Sequence, residues 1–189
     1  MRILALQASP NVDGLTASLA KEALAGAEAA GAETELLHLC QMRLEACRQC
    51  EDGWGLCRRE GLCIIEDDLE RMRDRMAAAD GLILSTPVYF GEPAEVVKSA
   101  FDRLRRCEVA GPEEPRVAGR WVLSIAAAGG GGGGGPSCLT VLERYFLRLA
   151  WPIFDTMIVT QRSRSSLLPA ARAAGERMVR HMEERRAQG

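Results

Sequence analysis

Four cysteines fall within 17 residues, at Cys47, Cys50, Cys57 and Cys63, in the spacing C-x2-C-x6-C-x5-C. Three chemistries compete for such a set. A [4Fe–4S] cluster takes four cysteines and tolerates uneven spacing. A structural zinc ion also takes four, usually as two C-x-x-C knuckles, and this stretch has one. The third reading is no metal, with the thiols packed or reactive. Arg48, Arg58 and Arg59 flank the set and would stabilise thiolates or a negative cluster; the plainer reading is solvated surface charge. Trp54 would shield such a centre from water or face a second chain. Cys40, Cys107 and Cys138 read as small apolar packers. His38 and His181 are too isolated for a metal site, His38 reading as a satisfied residue at a strand end.

Three loops carry the second candidate chemistry. In Ser9-Pro10-Asn11-Val12-Asp13-Gly14-Leu15-Thr16 an apolar run stops at a hydroxyl- and glycine-bearing loop that opens at once into a helix. Free N–H groups and the positive end of the helix dipole make that junction an anion site. Ser9 and Thr16 offer hydroxyls, Asn11 its amide, and Leu15 its N–H, while Asp13 must face solvent or cap a turn. The plainer reading is that Ser9 and Thr16 cap the helix. Pro87-Val88-Tyr89-Phe90-Gly91 follows the third apolar run; it offers backbone donors and aromatic cover to a planar polar ring. Gly129–Gly135, seven glycines, follows the fourth and lets backbone pass close to a ligand.

Those loops need strands to hold them. Strand-like runs are Arg2–Ala8, Glu33–Leu39, Gly81–Thr86, Trp121–Ala127 and Thr156–Thr160. Helical patterns lie between and after them, at Leu15–Ala30, Asp67–Ala79, Ala94–Arg106, Ser137–Ala150 and Pro169–Arg186. Short buried strands alternating with helices indicate one parallel sheet. The expected fold class is α/β, a flavodoxin-like three-layer sandwich with a five-stranded parallel sheet of order 2-1-3-4-5, whose strand ends hold the three loops. The rival order expects G-x-G-x-x-G after strand one, which is absent. Arg162–Ser166 reads as a solvated loop and Met182–Gly189 as a charged tail. The 189 residues suggest one domain, 1–189, interrupted by a Cys-rich excursion at about 41–67. A net charge of −2 argues against a nucleic-acid binder. No apolar run approaches the roughly 20 residues of a bilayer span, and no secretory leader is read, so the expected place is the cytoplasm.

The loop S-P-N-V-D-G-L-T, the element P-V-Y-F-G, the C-x-x-C start and the following Ile65-Glu66-Asp67-Asp68 together resemble the NAD(P)H-dependent FMN reductases of the flavodoxin-like superfamily, in their iron–sulfur flavoprotein branch. The resemblance spans roughly Met1 to Phe154, and P-V-Y-F-G is its most specific part. Departures are Asn11 where a basic residue is usual, Leu15 where Asn is usual, the glycine tract, and a second Cys gap four residues longer than the branch pattern. The resemblance implies FMN with its phosphate on Ser9, Asn11, Gly14, Leu15 and Thr16. The ring would lie along Pro87, Val88, Tyr89, Phe90 and Gly91, touched by Gly129, Gly130 and Gly131. It also implies NAD(P)H as co-substrate, a [4Fe–4S] cluster on Cys47, Cys50, Cys57 and Cys63, an external electron acceptor, and a homodimer or homotetramer. The flavin carries the chemistry, so no catalytic side chain is named. Two other functions stay open. One is a flavodoxin-type electron carrier without nicotinamide turnover, against which the weak net charge counts. The other is a metal-binding interaction module that has lost FMN.

Overall fold

The computed structural model describes residues 1–109 and 115–188. Gly189, the end of the expected tail, lies outside them. Strands and helices alternate through β1 (Arg2–Gln7), α1 (Leu15–Ala29), β2 (Glu33–His38), α2 (Leu56–Arg59), α3 (Leu69–Ala78), β3 (Gly81–Tyr89), β4 (Glu92–Pro93), α4 (Glu95–Val109), β5 (Trp121–Ala128), α5 (Gly135–Arg148), β6 (Ile153–Thr160) and α6 (Arg164–Gln188). Five strands pair in parallel in the order β2-β1-β3-β5-β6. Counted among the parallel strands alone, this is the expected 2-1-3-4-5 flavodoxin-like order. The sixth strand, β4, pairs antiparallel with β3 alone.

The central strands are apolar on both faces because both faces are covered. Ile3, Ala5, Ile83 and Leu123 pack under α1 and α6. Leu4, Leu6, Leu82, Leu84 and Val122 pack under α3, α4 and α5. On the first face the helices approach until their backbones touch. A Cβ on Gly26 would stand 1.8 Å from the Arg172 carbonyl oxygen, and one on Gly175 1.9 Å from that of Ala23. Only glycine permits that approach.

Two expectations need correction. Arg162–Ser166 is not all loop: α6 starts at Arg164, where the Ser163 carbonyl accepts the N–H groups of Ser166 (3.1 Å) and Leu167 (2.9 Å). Pro169 therefore sits inside the helix rather than at its start; a proline there costs one backbone bond but does not end the element. The charged stretch from Met182 is carried on that helix, which continues to Gln188 with Met182 in the core.

The excursion between β2 and α3 holds little regular structure beyond α2, and side chains fasten it. The carboxylate of Asp68 accepts the Arg43 N–H at 2.8 Å, and that of Asp67 accepts the Glu45 N–H at 2.9 Å. Arg73 donates to the Gly61 carbonyl at 2.9 Å and, through Nε, to Glu108 at 2.8 Å. Both side chains of that ion pair are buried, 1% and 0% exposed. Such a pair is neutral overall only while both partners remain.

Candidate functional site

The carboxyl ends of β1, β3 and β5 open into one cleft of about 200 Å³. Seven of the residues expected to bind cofactor line it: Ser9, Asn11, Gly14, Leu15, Thr16, Pro87 and Gly129. Ala127 and Ala128, from the strand end that leads into the glycine tract, and Gln161, which was not anticipated, complete it. Gln161 had a readable signal, being the polar residue just past the fifth parallel strand, as Ser9 is near the end of the first.

Local bonds pre-form the first loop. Ser9 Oγ accepts the Asn11 N–H at 3.2 Å, and Asn11 Oδ1 accepts the Asp13 N–H at 3.0 Å. This leaves the Ser9 hydroxyl proton and the Asn11 amide nitrogen as donors. Gly14 is the N-cap of α1, and no side chain caps the helix. The capping alternative for Ser9 and Thr16 is therefore not what is seen, and the first-turn N–H groups are left for an anion. Asp13 is exposed and paired at 3.4 Å with Lys21, which also donates to the Val12 carbonyl. Among the described residues no lysine or arginine lines the cleft.

The second loop departs from expectation. It is a hairpin in which Pro87 pairs with Ala127 inside the sheet, while Val88 and Tyr89 pair with Pro93 and Glu92. The turn residues Phe90 and Gly91 both have positive φ, 53° and 82°, as a tight primed turn requires. Buried Thr86 braces the base, its hydroxyl accepting the Ala94 N–H at 3.0 Å. The hairpin leans on the glycine tract, where a Cβ on Gly134 would stand 2.7 Å from the Gly91 Cα and 3.3 Å from Val88. Gly129, Gly130, Gly131 and Gly133 border open space, with nothing within 4 Å of an added Cβ. The tract thus divides into glycines locked by neighbours and glycines that leave room. Tyr89 lines a neighbouring cleft of about 360 Å³ with Pro10, Cys40 and Met42. Phe90 stands wholly exposed at the turn. Val88, Tyr89, Phe90 and Gly91 are therefore beside the first cleft rather than in its wall.

A separate cavity gathers Cys47, Cys50, Cys57 and Cys63, walled by Leu56, Leu62, Ile64 and Ile65. All four cysteines are half-buried and free. Among the described residues no three Cys, His, Asp or Glu converge closely enough for one metal ion. A mononuclear zinc site draws its sulfurs onto one point, whereas a cluster of four irons and four sulfides needs thiolates spread around a space. Four cysteine thiols on one cavity supply the four-thiolate ligand set that either centre takes.

Arg48, Arg58 and Arg59 are exposed, as the plainer reading of solvated charge has them. Arg48 and Arg59 form exposed pairs with Glu45 and Glu51. The buried one is Arg103 of α4, whose Nε and Nη2 both lie 3.3 Å from the Cys63 Sγ. It pairs with Asp67 at 2.5 Å, with side chains 1% and 0% exposed. Burial disfavours its charge, yet the bonds to Asp67 and Cys63 outweigh burial and hold the guanidinium above the usual arginine range. Burial likewise pushes Asp67 up, but Arg103 and two backbone N–H groups hold its carboxyl below the usual range. Trp54 sits under the Arg106 guanidinium, 4.4 Å from ring centroid to carbon. Cys107 and Cys138 are buried as expected, and burial pushes their thiols up to about 12 and about 11. Cys40 is not an internal packer: it is exposed, with its thiol on the Ala8 carbonyl at 3.3 Å. His38 is satisfied by Gln7 at 3.0 Å. His181 is edge-on to Trp121, with centroids 4.7 Å apart.

Among the described residues no helix is long and apolar enough to cross a membrane. An iron–sulfur flavoprotein of Methanocaldococcus jannaschii is 34% identical over 119 residues, 63% of this chain and 60% of that protein. One of Methanosarcina thermophila is 32% identical over 103 residues, 54% of this chain and 52% of that protein. The match thus spans between half and two thirds of these relatives. The solved NAD(P)H:quinone oxidoreductase of Methanothermobacter marburgensis shares the fold, with TM-score 0.75, 21% identity, and coverage of 94% of this chain and 96% of that one. Residues 1–159 match the family profile described as NADPH-dependent FMN reductase, and over that span, which holds the cysteine cavity and all of the strand-end cleft but Gln161, the chain belongs to the NADPH-dependent FMN reductase family.

Proposed function

We propose that the chain is an FMN-dependent NAD(P)H oxidoreductase that passes electrons to an external acceptor, with a [4Fe–4S] cluster at Cys47, Cys50, Cys57 and Cys63. One observation carries the flavin reading: the uncapped start of α1 opens onto a cleft shared by the ends of three parallel strands. Ser9, Asn11 and the N–H groups of Leu15 and Thr16 hold the phosphate with neutral donors and the helix dipole, and Gly14, its own N–H on the Asn11 carbonyl, forms the turn beneath it. The ring follows Pro87, Val88, Tyr89, Phe90 and Gly91, and the side-chain-free edge at Gly129, Gly130 and Gly131 gives it room. When bound, FMN accepts a hydride from a reduced nicotinamide and releases its electrons to an acceptor. The chain orients and covers; no side chain is assigned as general acid or base, because hydride transfer requires none. Tyr89 and Pro10 border the adjoining cleft of about 360 Å³, which gives a nicotinamide a place beside the ring. The free cysteines suit a reducing cytoplasm. A second copy, in a homodimer or homotetramer, would cover Phe90.

The test is an absorption spectrum of anaerobically purified protein with iron and flavin counted, then mixing with NADH or NADPH. Flavin bands bleached by a nicotinamide, with about four irons per chain, are expected. Flavin without iron reduces the reading to a simple FMN-dependent reductase. Flavin that neither nicotinamide bleaches means an electron carrier. Neither group bound after reconstitution overturns the reading and leaves an interaction module.

A further inference from the structure

Arg103 is remote from the cysteine excursion in sequence and inside it in space. It lines the cavity beside Cys63 and Cys107 and is 1% exposed. Two of its nitrogens bond the same sulfur, that of Cys63, each at 3.3 Å. Among the described residues no guanidinium bonds the sulfur of Cys47, Cys50 or Cys57, so one corner of the cavity differs from the other three.

A structural ion pair does not account for the sulfur contacts. Asp67 already takes an N–H from Nη1 at 2.5 Å and one from Nη2 at 2.9 Å, and the Glu45 carbonyl takes another at 3.0 Å. A neutral thiol is a weak acceptor, and two buried charged donors aimed at one gain little. A thiolate is different, because charge-assisted bonds are roughly twice as strong as neutral ones. Resting on the reading of this cavity as a [4Fe–4S] site, we propose that Arg103 is a positioning residue that raises the cluster's reduction potential through the Cys63 sulfur. Reduction adds one electron, and so one negative charge, to the cluster and its thiolates. N–H bonds to a ligand sulfur favour the more negative form, and such bonds are among the levers that set cluster potentials. Asp67 acts with the opposite sign, since its buried carboxylate disfavours added negative charge. Removing the two groups one at a time must therefore move the potential in opposite directions.

The experiment is a dithionite titration followed by electron paramagnetic resonance, with iron, sulfide and flavin counted in each sample. The proteins are wild type, Arg103→Lys and Asp67→Asn. Lysine keeps a charge opposite Asp67 but lacks the planar fork that puts two nitrogens on the Cys63 sulfur while two hold the carboxylate. Arg103→Lys is expected to shift the one-electron equilibrium about tenfold toward the oxidised cluster, which is about 59 mV lower. Asp67→Asn is expected to shift it toward the reduced cluster. Equal potentials in wild type and Arg103→Lys at equal iron content overturn the proposal and leave the cluster reading standing. Shifts of the same sign in both variants also overturn it, because loosened packing would be the common cause. A wild type that holds no iron after reconstitution overturns both. If neither variant folds, the wild type decides. Pulsed measurements on its reduced cluster, with and without nitrogen-15 arginine, should reveal a nitrogen coupling that changes with the label; no such coupling overturns the proposal.

Discussion

The strand-end cleft and the cysteine cavity sit on one scaffold and are built from opposite materials. The cleft is made of backbone: an uncapped helix start, a hairpin turn and a glycine tract, with no lysine or arginine among the described residues of its wall. The cavity is made of side chains: four thiols on an irregular excursion, held by buried charges from α3 and α4. Backbone donors are placed by the fold itself and need no buried charged partner to stay in place. Charged side chains must be desolvated in advance and are stable only in complete sets. The cleft should therefore fail locally and gently when altered, and the cavity abruptly.

The sharpest break is Arg103→Ala. It leaves Asp67 buried and charged without its partner, and removing one member of such a pair costs about 3–5 kcal/mol. Urea unfolding should show that loss together with loss of bound iron, while the flavin complement of the folded fraction holds. A loss below about 1 kcal/mol, the scale of an exposed pair, would show that the excursion is not fastened by this pair. Next comes Gly134→Ala in the backbone-built region. The new Cβ meets Gly91 at 2.7 Å and the residue has φ of 81°, a conformation that costs an L-residue roughly 1–2 kcal/mol. Hairpin and tract must part, so FMN affinity should fall by about tenfold or more, equivalent to about 1.4 kcal/mol, in a fluorescence titration. Gly131→Ala sharpens the contrast, because its Cβ meets nothing within 4 Å. Its melting temperature should match wild type while flavin affinity still drops, if the tract edges the ring. An unchanged affinity would remove Gly131 from the site.

The same contrast explains what could be read from the sequence. Strand ends and helix starts follow from apolar runs and turn residues, so the order of the five parallel strands and seven residues of the cleft were legible. The hairpin was not, because two prolines, Pro87 and Pro93, count against strand pairing there. They are tolerated because Pro87 ends the inner pairing of β3 and Pro93 lies on a two-residue edge strand. A phenylalanine at positive φ, as at Phe90, runs against the Asn-Gly preference of such turns. Arg103 was missed because its partners Asp67 and Cys63 lie 36 and 40 residues away. One signal existed: Ala100 and Cys107 share its face of α4 at spacings of three and four, and both are buried. An arginine on an apolar stripe must find a buried partner.

The cysteines themselves give the mildest test, which begins on the wild-type chain. Cys47, Cys50, Cys57 and Cys63 are half-buried, whereas Cys107 and Cys138 are fully covered. In metal-free protein near pH 7.5, iodoacetamide should reach the first four and spare the last two until guanidinium unfolds the chain, as peptide mass mapping would show. The sign of the alkaline limb follows from Cys138, whose buried thiol is pushed up to about 11 from an ordinary 9.0. A pKa raised on folding contributes stability that is fully present below the unfolded value and is lost as pH rises through the folded one. Stability should thus decline between about pH 9 and 11, and Cys138→Ala should flatten that decline while leaving both sites loaded at neutral pH. Labelling of Cys107 at the rate of Cys57 in folded protein would mean that the cavity wall on α4 opens freely. The contrast between a built-in charged cavity and an open backbone cleft would then fail at the cavity.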